Sequence, residues 1–415
     1  MERSSNDRSG TAWPGPRPSP GRGDAGEEGT GAVKAPGRPL RIAILGATGS
    51  IGSQALDVVD RFPDRFQVFA LVSGRRAPLR PAPYRLRSDD PDFEARLEEI
   101  VTHPDCDLVL VAIPGARALA PTLAALRAGK KVAIATKEVL VMAGELVVRS
   151  AAADAIRPVD SEHSAIWQCL WGESPESVAR LVLTASGGPF WSHPELDLRE
   201  VTVAQALNHP RWSMGPKVTV DCATLMNKGL ETIEAHHLFR VPLDRIDVVV
   251  HPQSVIHSLV ELVDGSAKAQ LGNPDMRLPI GLALSYPARL PGVVPSTSFQ
   301  DLGALELYPL DRRRFPSVDL AREAARQGGC HPAVLNAANE EAVAAFLEGR
   351  IRFVDIVPLV ESALAAFRGQ GTSDRAWDGL GAPGEGGREV SLEEILAADA
   401  DARAHVRSRI GKVET

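Results

Sequence analysis

The chain has 415 residues, of which 44% are hydrophobic and 24% are charged, and its formal net charge is −7. The negative charge disfavours a protein that binds nucleic acid or an anionic membrane surface, and the length predicts two or three domains. No apolar run reaches the roughly 18–20 residues of a transmembrane helix, and no C-x-x-C pair occurs among the four cysteines, so we expect a reduced, cytoplasmic protein.

The first 39 residues are rich in Pro, Gly, Arg and Ser and lack the apolar segment of a signal peptide, so they are predicted to form a disordered tail. Strands are then predicted at 41–45, 66–72, 107–113 and 132–135. Helices are predicted between them at 51–62, 92–101 and 121–128. This alternation is typical of βαβ units, and it predicts an α/β fold with a Rossmann-like nucleotide-binding domain over residues 40–158.

A glycine-rich loop, Gly46-Ala47-Thr48-Gly49-Ser50-Ile51-Gly52, joins the first predicted strand to the first predicted helix. Glycines let the backbone turn tightly and approach a pyrophosphate, which the helix N-terminus then binds. The second strand ends in Gly74-Arg75-Arg76, without the carboxylate that an NAD-selective site uses for the ribose 2′-hydroxyl. Arg75 and Arg76 therefore favour NADP(H), although solvated surface arginines would have the same sequence.

The remaining chain is predicted to contain three further parts. Residues 159–286 mix strands at 181–185, 246–250, 255–262 and 268–271 with short helices, which is typical of an α+β catalytic domain. A connector rich in Pro and Ser follows over 287–316. Helices at 319–327, 333–348, 353–366 and 392–410 predict a C-terminal helical bundle domain over 317–415, with a mobile loop at 369–388.

Two groups of polar residues suggest a metal and anion site. Asp160 and Glu162 flank Ser161, and in an extended segment both carboxylates would point to the same side, toward one hard cation. Alone, such a pair is more often a solvated surface feature. Asn227, Lys228 and Glu231 have helical spacing, so one helix face could bind an anion and complete the metal site. An exposed amphipathic face is the alternative.

Two polar loops with turn residues could also contact a ligand. One is Ser186-Gly187-Gly188-Pro189, and the other is Asn208–Gly215, which carries Trp212 and Met214. These two apolar side chains are unusual in a loop bounded by Pro and Gly. They are expected either to pack in the core or to form a lid over a ligand.

These residues belong to a series of motifs that resembles the 1-deoxy-D-xylulose 5-phosphate reductoisomerase family from about residue 40 to the C-terminus. The motifs are Gly46–Gly52, Ala135-Thr136-Lys137-Glu138, Asp160-Ser161-Glu162, Asn208–Gly215, Met226-Asn227-Lys228-Gly229-Leu230-Glu231 and His251-Pro252-Gln253-Ser254-Val255-Ile256-His257. Several motifs in one order are much stronger evidence than any one of them.

The resemblance implies a homodimeric enzyme that uses NADPH and Mn²⁺ or Mg²⁺. Its substrate would be a small phosphorylated ketose, 1-deoxy-D-xylulose 5-phosphate, which is rearranged and reduced to 2-C-methyl-D-erythritol 4-phosphate in non-mevalonate isoprenoid biosynthesis. The implied cofactor contacts are Thr48, Gly49, Ser50, Ile51, Gly74, Arg75, Arg76, Thr136, Glu138, Gly215 and Met276. The implied metal ligands are Asp160, Glu162 and Glu231. The implied substrate contacts are Lys137, Ser161, Glu162, Ser186, His209, Trp212, Cys222, Asn227, Lys228 and Glu231, among which Lys137, Glu162 and His209 would be catalytic.

Three features depart from the family pattern. Cys222 replaces the usual phosphate-contacting serine, and a thiol is the weaker hydrogen-bond donor. Arg76 replaces a more usual polar residue. The stretch from Arg75 to Asp105 is short for the family, so part of a strand–helix unit of the cofactor domain is expected to be missing.

Two other functions are compatible with part of the sequence. The glycine-rich loop also opens NADP-dependent semialdehyde dehydrogenases, in which Cys169 or Cys222 would be the nucleophile and no metal would be needed. A non-catalytic NADPH-binding sensor is the second alternative. Asp160, Glu162, Glu231 and Lys137 argue against a sensor, because it has no use for a cluster of metal-binding carboxylates.

Overall fold

The computed structural model describes residues 37–76, 80–212, 214–367 and 390–410. The predicted tail, apart from residues 37–39, and the loop predicted at 369–388 lie outside these ranges. Within them the chain forms two sheets and a group of C-terminal helices, which confirms the α/β fold class.

The first sheet is wholly parallel and has six strands in the order β3-β2-β1-β4-β5-β6. The strands are β1 Leu40–Leu45, β2 Phe66–Ser73, β3 Tyr84–Arg87, β4 Leu108–Val111, β5 Lys131–Ile134 and β6 Ile156–Pro158. Successive side chains of β1 enter cores on opposite faces, since Ile42 and Ile44 pack on one side and Ala43 and Leu45 on the other. The near-continuous apolar runs in these strands follow from burial on both faces.

Four helices connect these strands: α1 Ser50–Arg61, α2 Phe93–Thr102, α3 Leu119–Arg127 and α4 Glu138–Ser150. The sequence predicts that part of a strand–helix unit is missing after Arg75, and the structure retains a strand there, since β3 pairs in parallel with β2 and α2 follows it. The described residues between Ser73 and Tyr84 contain no helix.

The second sheet is mixed, with the order β10-β9-β7-β8-β11. Its strands are β7 Val178–Ala185, β8 Ile246–Val250, β9 Ile256–Leu262, β10 Ala267–Leu271 and the short β11 Tyr308–Pro309. Strands β7 and β8 are parallel, and β9 runs antiparallel to both β7 and β10. The four strands predicted in this part of the chain are confirmed, and β11 was not predicted.

Five helices accompany this sheet: α5 Ser161–Cys169, α6 Val203–Ala206, α7 Pro216–Thr224, α8 Met226–Phe239 and α9 Arg277–Ser285. Almost every side chain of α8 is buried, because the helix lies between the first sheet's α4 and the C-terminal helices. Helix α9 returns to the first sheet and packs Ile280 and Leu284 against its core. The chain then passes back to the second sheet, where β11 pairs with β8.

The C-terminal part contains α10 Ser317–Gln327, α11 His331–Leu347, α12 Ile356–Ala366 and α13 Leu392–Ile410, as the helical spacing predicts. Their apolar side chains share one core with α7 and α8. Among the described helices, none is both long and apolar enough to cross a membrane.

Candidate active site

The glycine-rich loop lies between β1 and α1 at the carboxyl edge of the first sheet. Gly46 has φ of +92°, and a Cβ there would lie 2.3 Å from the carbonyl oxygen of Ala112. A Cβ at Gly52 would lie 2.2 Å from the carbonyl oxygen of Gly46. Only glycine fits at either position. No side chain caps the N-terminus of α1, so its first N–H groups can bind an anion.

Gly74, Arg75 and Arg76 directly follow β2 and are exposed. Because β2 is the parallel neighbour of β1, both arginines are at the same sheet edge as the glycine-rich loop. That is where a Rossmann-like fold contacts the adenosine ribose. The arrangement fits the prediction of a 2′-phosphate contact.

A cavity of about 630 Å³ extends from α1 to the second sheet. Of the predicted site residues, fourteen line it: Ser50, Ile51, Lys137, Asp160, Ser161, Glu162, Ser186, Trp212, Gly215, Cys222, Asn227, Lys228, Glu231 and Met276. The cavity thus brings together all three predicted metal ligands, all predicted substrate contacts except His209, and four of the eleven predicted cofactor contacts.

Two of the other predicted cofactor residues make contacts within the protein instead. Thr136 donates a hydrogen bond to the carbonyl oxygen of Ile113 at 2.8 Å. Glu138 is only 8% exposed, and its Oε1 accepts a hydrogen bond from Lys217 at 2.9 Å. Neither side chain lines the cavity. Their predicted contact with the cofactor therefore remains a prediction from the family resemblance.

Three carboxylates converge at the base of the cavity. Ligand oxygens of Asp160, Glu162 and Glu231 all lie within 4.8 Å of one another. The reason given from sequence was wrong, since the segment is not extended. Asp160 is the N-cap of α5 and accepts a hydrogen bond from the backbone N–H of Glu162 at 3.3 Å. The first helical turn, rather than a strand pleat, places both carboxylates beside Glu231.

Two lysine ammonium groups lie among these carboxylates. Lys137 Nζ is 2.6 Å from Asp160 Oδ2 and 2.9 Å from Glu231 Oε1, and it donates to Asn227 Oδ1 at 2.8 Å. Lys228 Nζ is 2.7 Å from Glu162 Oε1 and also pairs with Glu231. Asn227 Nδ2 donates to Glu231 Oε1 at 2.5 Å. The face of α8 predicted from the spacing of Asn227, Lys228 and Glu231 therefore exists and meets the carboxylates.

The electrostatics of the cluster suit a divalent cation. Burial, followed by the charge of Glu231, raises the pKa of Glu162 to about 7. Although burial opposes it, Asp160 and Glu231 raise the pKa of Lys137 well above its ordinary value, so its amine stays protonated. The raised pKa of Glu162 reflects the crowding of carboxylates around it. Three carboxylate oxygens within reach of one ion form the donor set that Mg²⁺ and Mn²⁺ prefer, and these residues fit such an ion.

His163 and Glu234 support this cluster and were missed from sequence. His163 is fully buried. Its Nε2 lies 2.9 Å from the carbonyl oxygen of Glu231, and its Nδ1 lies 3.3 Å from Asp160 Oδ1 and 3.5 Å from Glu234 Oε2. The ring thereby contacts two of the three residues that are predicted to ligate the metal. Their sequence positions could have indicated this role, since His163 follows Glu162 and Glu234 is one helical turn after Glu231.

The loop over the cavity is held by His209. Its Nδ1 accepts hydrogen bonds from the backbone N–H groups of Arg211 and Trp212 at 3.2 and 2.9 Å. The proton is therefore on Nε2, which donates to Ser186 Oγ at 2.9 Å. Burial lowers the pKa of His209 to about 4, so the ring is neutral. Ser213 in this loop lies outside the described residues.

Further residues line the cavity that no prediction named. Ser254, Ile256 and His257 belong to the segment quoted as a motif but were given no role. His251 Nε2 accepts from the backbone N–H groups of Val255 and Ile256, both at 3.1 Å, and so shapes this segment. Ser254 has φ of +53°, and the sequence gave no sign of that conformation.

The cysteines argue against the thiol-based alternative. Burial raises the pKa of Cys169 to about 11 and that of Cys222 to about 12, so both are thiols at neutral pH. A nucleophilic cysteine must be a thiolate. Cys169 also lies outside the lining of the cavity.

Family models match most of the chain. One described as 1-deoxy-D-xylulose 5-phosphate reductoisomerase matches residues 42–80 and 93–144. Two C-terminal domain models of the same family match residues 156–239 and 271–405.

Individual relatives and solved structures agree with these matches. The 1-deoxy-D-xylulose 5-phosphate reductoisomerase of Ralstonia nicotianae is 48% identical over 88% of this chain and 96% of its own length. That of Mycobacterium tuberculosis is 50% identical over 80% and 85%. The Zymomonas mobilis enzyme in complex with NADPH is 39% identical, with a TM-score of 0.78 over 90% of this chain and 99% of that one. A complex of DOX-P reductoisomerase with NADPH, fosmidomycin and magnesium is 38% identical, with a TM-score of 0.79 over 91% and 99%. The chain belongs to the 1-deoxy-D-xylulose 5-phosphate reductoisomerase family.

Proposed function

We infer that this chain catalyses the NADPH- and divalent-metal-dependent conversion of 1-deoxy-D-xylulose 5-phosphate to 2-C-methyl-D-erythritol 4-phosphate, an early step of non-mevalonate isoprenoid biosynthesis. The observation that carries this inference is the convergence of Asp160, Glu162 and Glu231 on one side of a cavity whose other side is α1 with its glycine-rich loop. A bound cation polarises a carbonyl oxygen and NADPH supplies a hydride.

The proposed roles of the individual residues are as follows. Asp160, Glu162 and Glu231 would hold the cation. Lys137 keeps its proton, so it would donate a hydrogen bond to a substrate oxygen and would not act as a base. Ser161 and Glu162 are hydrogen-bonded to each other and would orient substrate hydroxyls.

The phosphate of the substrate would bind on the opposite side of the carboxylates. The proposed contacts are Ser186, Cys222, Asn227 and Lys228, all of which line the cavity. A Cβ at Gly188 would lie 2.5 Å from the carbonyl oxygen of Cys222, so the loop of Ser186 packs directly on α7. Trp212 would cover the ligand, with His209 holding its backbone.

NADPH would bind along α1. We propose contacts from Thr48, Gly49, Ser50 and Ile51 to the pyrophosphate and from Gly74, Arg75 and Arg76 to the adenosine side. Thr136, Glu138, Gly215 and Met276 complete the proposed set. Gly215 and Met276 face the cavity, which supports their part in it.

The decisive experiment is turnover of NADPH with 1-deoxy-D-xylulose 5-phosphate and Mn²⁺. A chelator should abolish turnover. A thiol-alkylating agent, added in the presence of substrate so that the buried Cys222 is protected, should leave turnover intact. Asp160→Asn should remove most turnover at every Mn²⁺ concentration and leave the NADPH dissociation constant nearly unchanged. Asp264→Asn, on an exposed carboxylate, is the control. Near-normal activity of Asp160→Asn at limiting Mn²⁺ would show that the metal site is elsewhere.

We also propose that the chain works as a cytoplasmic homodimer, with domains at residues 40–158, 159–286 and 317–415 joined by a connector at 287–316. The resemblance to the family supports the dimer. The connector presents Phe299 at 70% exposure and Leu307 at 46%, which a partner could cover. Light scattering on the protein as it elutes from a size-exclusion column would give its mass. A monomer at micromolar concentration would contradict the proposal.

A further inference from the structure

A series of polar side chains, three of them buried and one partly exposed, joins three parts of the chain outside the lining of the cavity. Lys217 Nζ lies 2.9 Å from Glu138 Oε1 and 2.9 Å from Asp221 Oδ2. Asn339 Nδ2 donates to Asp221 Oδ1 at 2.8 Å. We call these four residues the Lys217 network. It connects α4 beside the first sheet, α7 beside the second and α11 of the C-terminal helices.

Three members of the network are buried, and the fourth, Lys217, is partly exposed, with 27% of its side chain accessible. Glu138, Asp221 and Asn339 are 8%, 1% and 0% exposed. Burial alone would raise the pKa of Glu138, but Lys217 holds that pKa below its ordinary value. Removing one partner of a buried pair leaves an uncompensated charge, which is far more costly than losing a surface pair. The lysine therefore binds α4 and α7 together at a defined distance.

Each charged member of the network is a near neighbour in sequence of a residue in the site. Glu138 follows Lys137, which contacts Asp160 and Glu231. Asp221 precedes Cys222 on α7. Lys217 comes two residues after Gly215, where the loop Asn208–Gly215 ends and α7 begins. The network thus links the lysine of the metal cluster, the phosphate side of the cavity and one end of the covering loop.

We propose that Lys217 is a positioning residue that anchors the C-terminal end of the loop Asn208–Gly215 to α4 and fixes Cys222 relative to Lys137. The kinetic consequence rests on the proposed function, but the anchoring of the loop does not. The Lys217 side chain acts only through its neighbours, because it does not itself line the cavity.

The test is Lys217→Met, which keeps an unbranched side chain one atom shorter than lysine and removes its charge. Arg211 is exposed within the loop and gives a natural trypsin site. We expect trypsin to cleave after Arg211 several-fold faster in this variant than in the wild type. The digestion is run below the melting temperature, and mass spectrometry measures the cleavage. We also expect kcat/KM for the phosphorylated ketose to fall by roughly tenfold or more, since a shift of about 1 Å in a catalytic group can cost ~10²-fold.

Arg245→Met is the matched control. Arg245 is also a partly buried cation, and it donates to the carbonyl oxygens of Val178 and Ala179 at a place that does not line the cavity. It should lower the melting temperature without faster cleavage after Arg211 and without a change in KM. If both variants accelerate that cleavage equally, Lys217 has a general stabilising role and the proposal is wrong.

A second variant covers the case in which Lys217→Met does not fold. Glu138→Gln still accepts a hydrogen bond from Lys217 but removes one charge. It should therefore also accelerate cleavage after Arg211 and lower kcat/KM, each by less than Lys217→Met does. Wild-type cleavage and kinetics in a folded Lys217→Met or in Glu138→Gln would overturn the proposal. If the wild-type protein does not turn over the ketose phosphate at all, the proposed function fails, and the cleavage after Arg211 still decides the role of Lys217.

Discussion

Replacing Cys222 with serine should tighten the binding of the phosphorylated substrate. Cys222 lines the cavity with Ser186, Asn227 and Lys228, and it is 9% exposed. Its pKa of about 12 keeps it a neutral thiol, whose S–H is a weak donor. A phosphate dianion prefers the short, charge-assisted bond that a hydroxyl can give.

The size of the effect follows from the difference between the two donors. A hydrogen bond to a charged group contributes ~1.5–3 kcal/mol, against ~1 for a neutral pair. If the thiol already contributes the smaller value, Cys222→Ser gains ~0.5–2 kcal/mol, which corresponds to a KM lower by about 2- to 30-fold. The gain applies equally to substrate and transition state, so kcat should change little.

Steady-state kinetics, followed by the loss of NADPH absorbance at saturating metal, would measure this change. Cys169→Ser is the matched control, because Cys169 is also buried but does not line the cavity. Its KM should equal that of the wild type. Cys222→Ala removes the contribution of the thiol, ~1 kcal/mol on the same premise, and should raise KM by about fivefold. An unchanged or higher KM in Cys222→Ser would refute the reasoning and show that the other three residues hold the phosphate alone.

Three further predictions concern the cofactor, packing and acid stability. Replacing Arg75 and Arg76 with neutral residues should raise the KM for NADPH far more than that for NADH, and equal effects on both would exclude a 2′-phosphate contact. Gly144→Ala places a Cβ 2.2 Å from the ring of His237, so the free energy of unfolding in urea should fall by about 1–3 kcal/mol; no loss would mean that the ring moves freely. The Arg38 hydrogen bond, opposed by partial burial, lowers the pKa of Asp107 to about 2. Its stabilising effect is therefore complete above the ordinary Asp pKa and is lost as pH falls through 2, so the difference in unfolding free energy between wild type and Asp107→Asn should shrink between about pH 4 and 2; a constant difference would contradict the assigned pair.

The sequence predicted the elements with the strongest patterns. The helical spacing at 392–410 gives α13 with the same limits, and the glycine-rich loop lies where its flanking strand and helix require it. Strand β3 was missed because it is at the sheet edge and only Leu86 of its four residues is buried. One buried residue gives no alternating pattern to detect.

In the candidate site, the residue types were predicted better than the geometry. Asp160 and Glu162 were expected to meet across an extended segment, yet Asp160 caps a helix, and aspartate is among the preferred N-cap residues. The contacts of Glu138 with Lys217 and of Thr136 with Ile113 could not be predicted, because they join segments distant in sequence or backbone atoms that carry no sequence signal.

The hydrogen bonds among Lys137, Asn227 and Glu231 have a thermodynamic consequence. Glu231 Oε1 accepts hydrogen bonds from both Lys137 and Asn227. A cation that coordinates this oxygen must displace these two donors, and the displaced donors can then bind a ligand anion. The metal and the phosphate of the substrate would then favour each other's binding. By linkage, the factor by which the cation strengthens substrate binding equals the factor by which the substrate strengthens cation binding. Affinities for either ligand depend on the concentration at which the other is present.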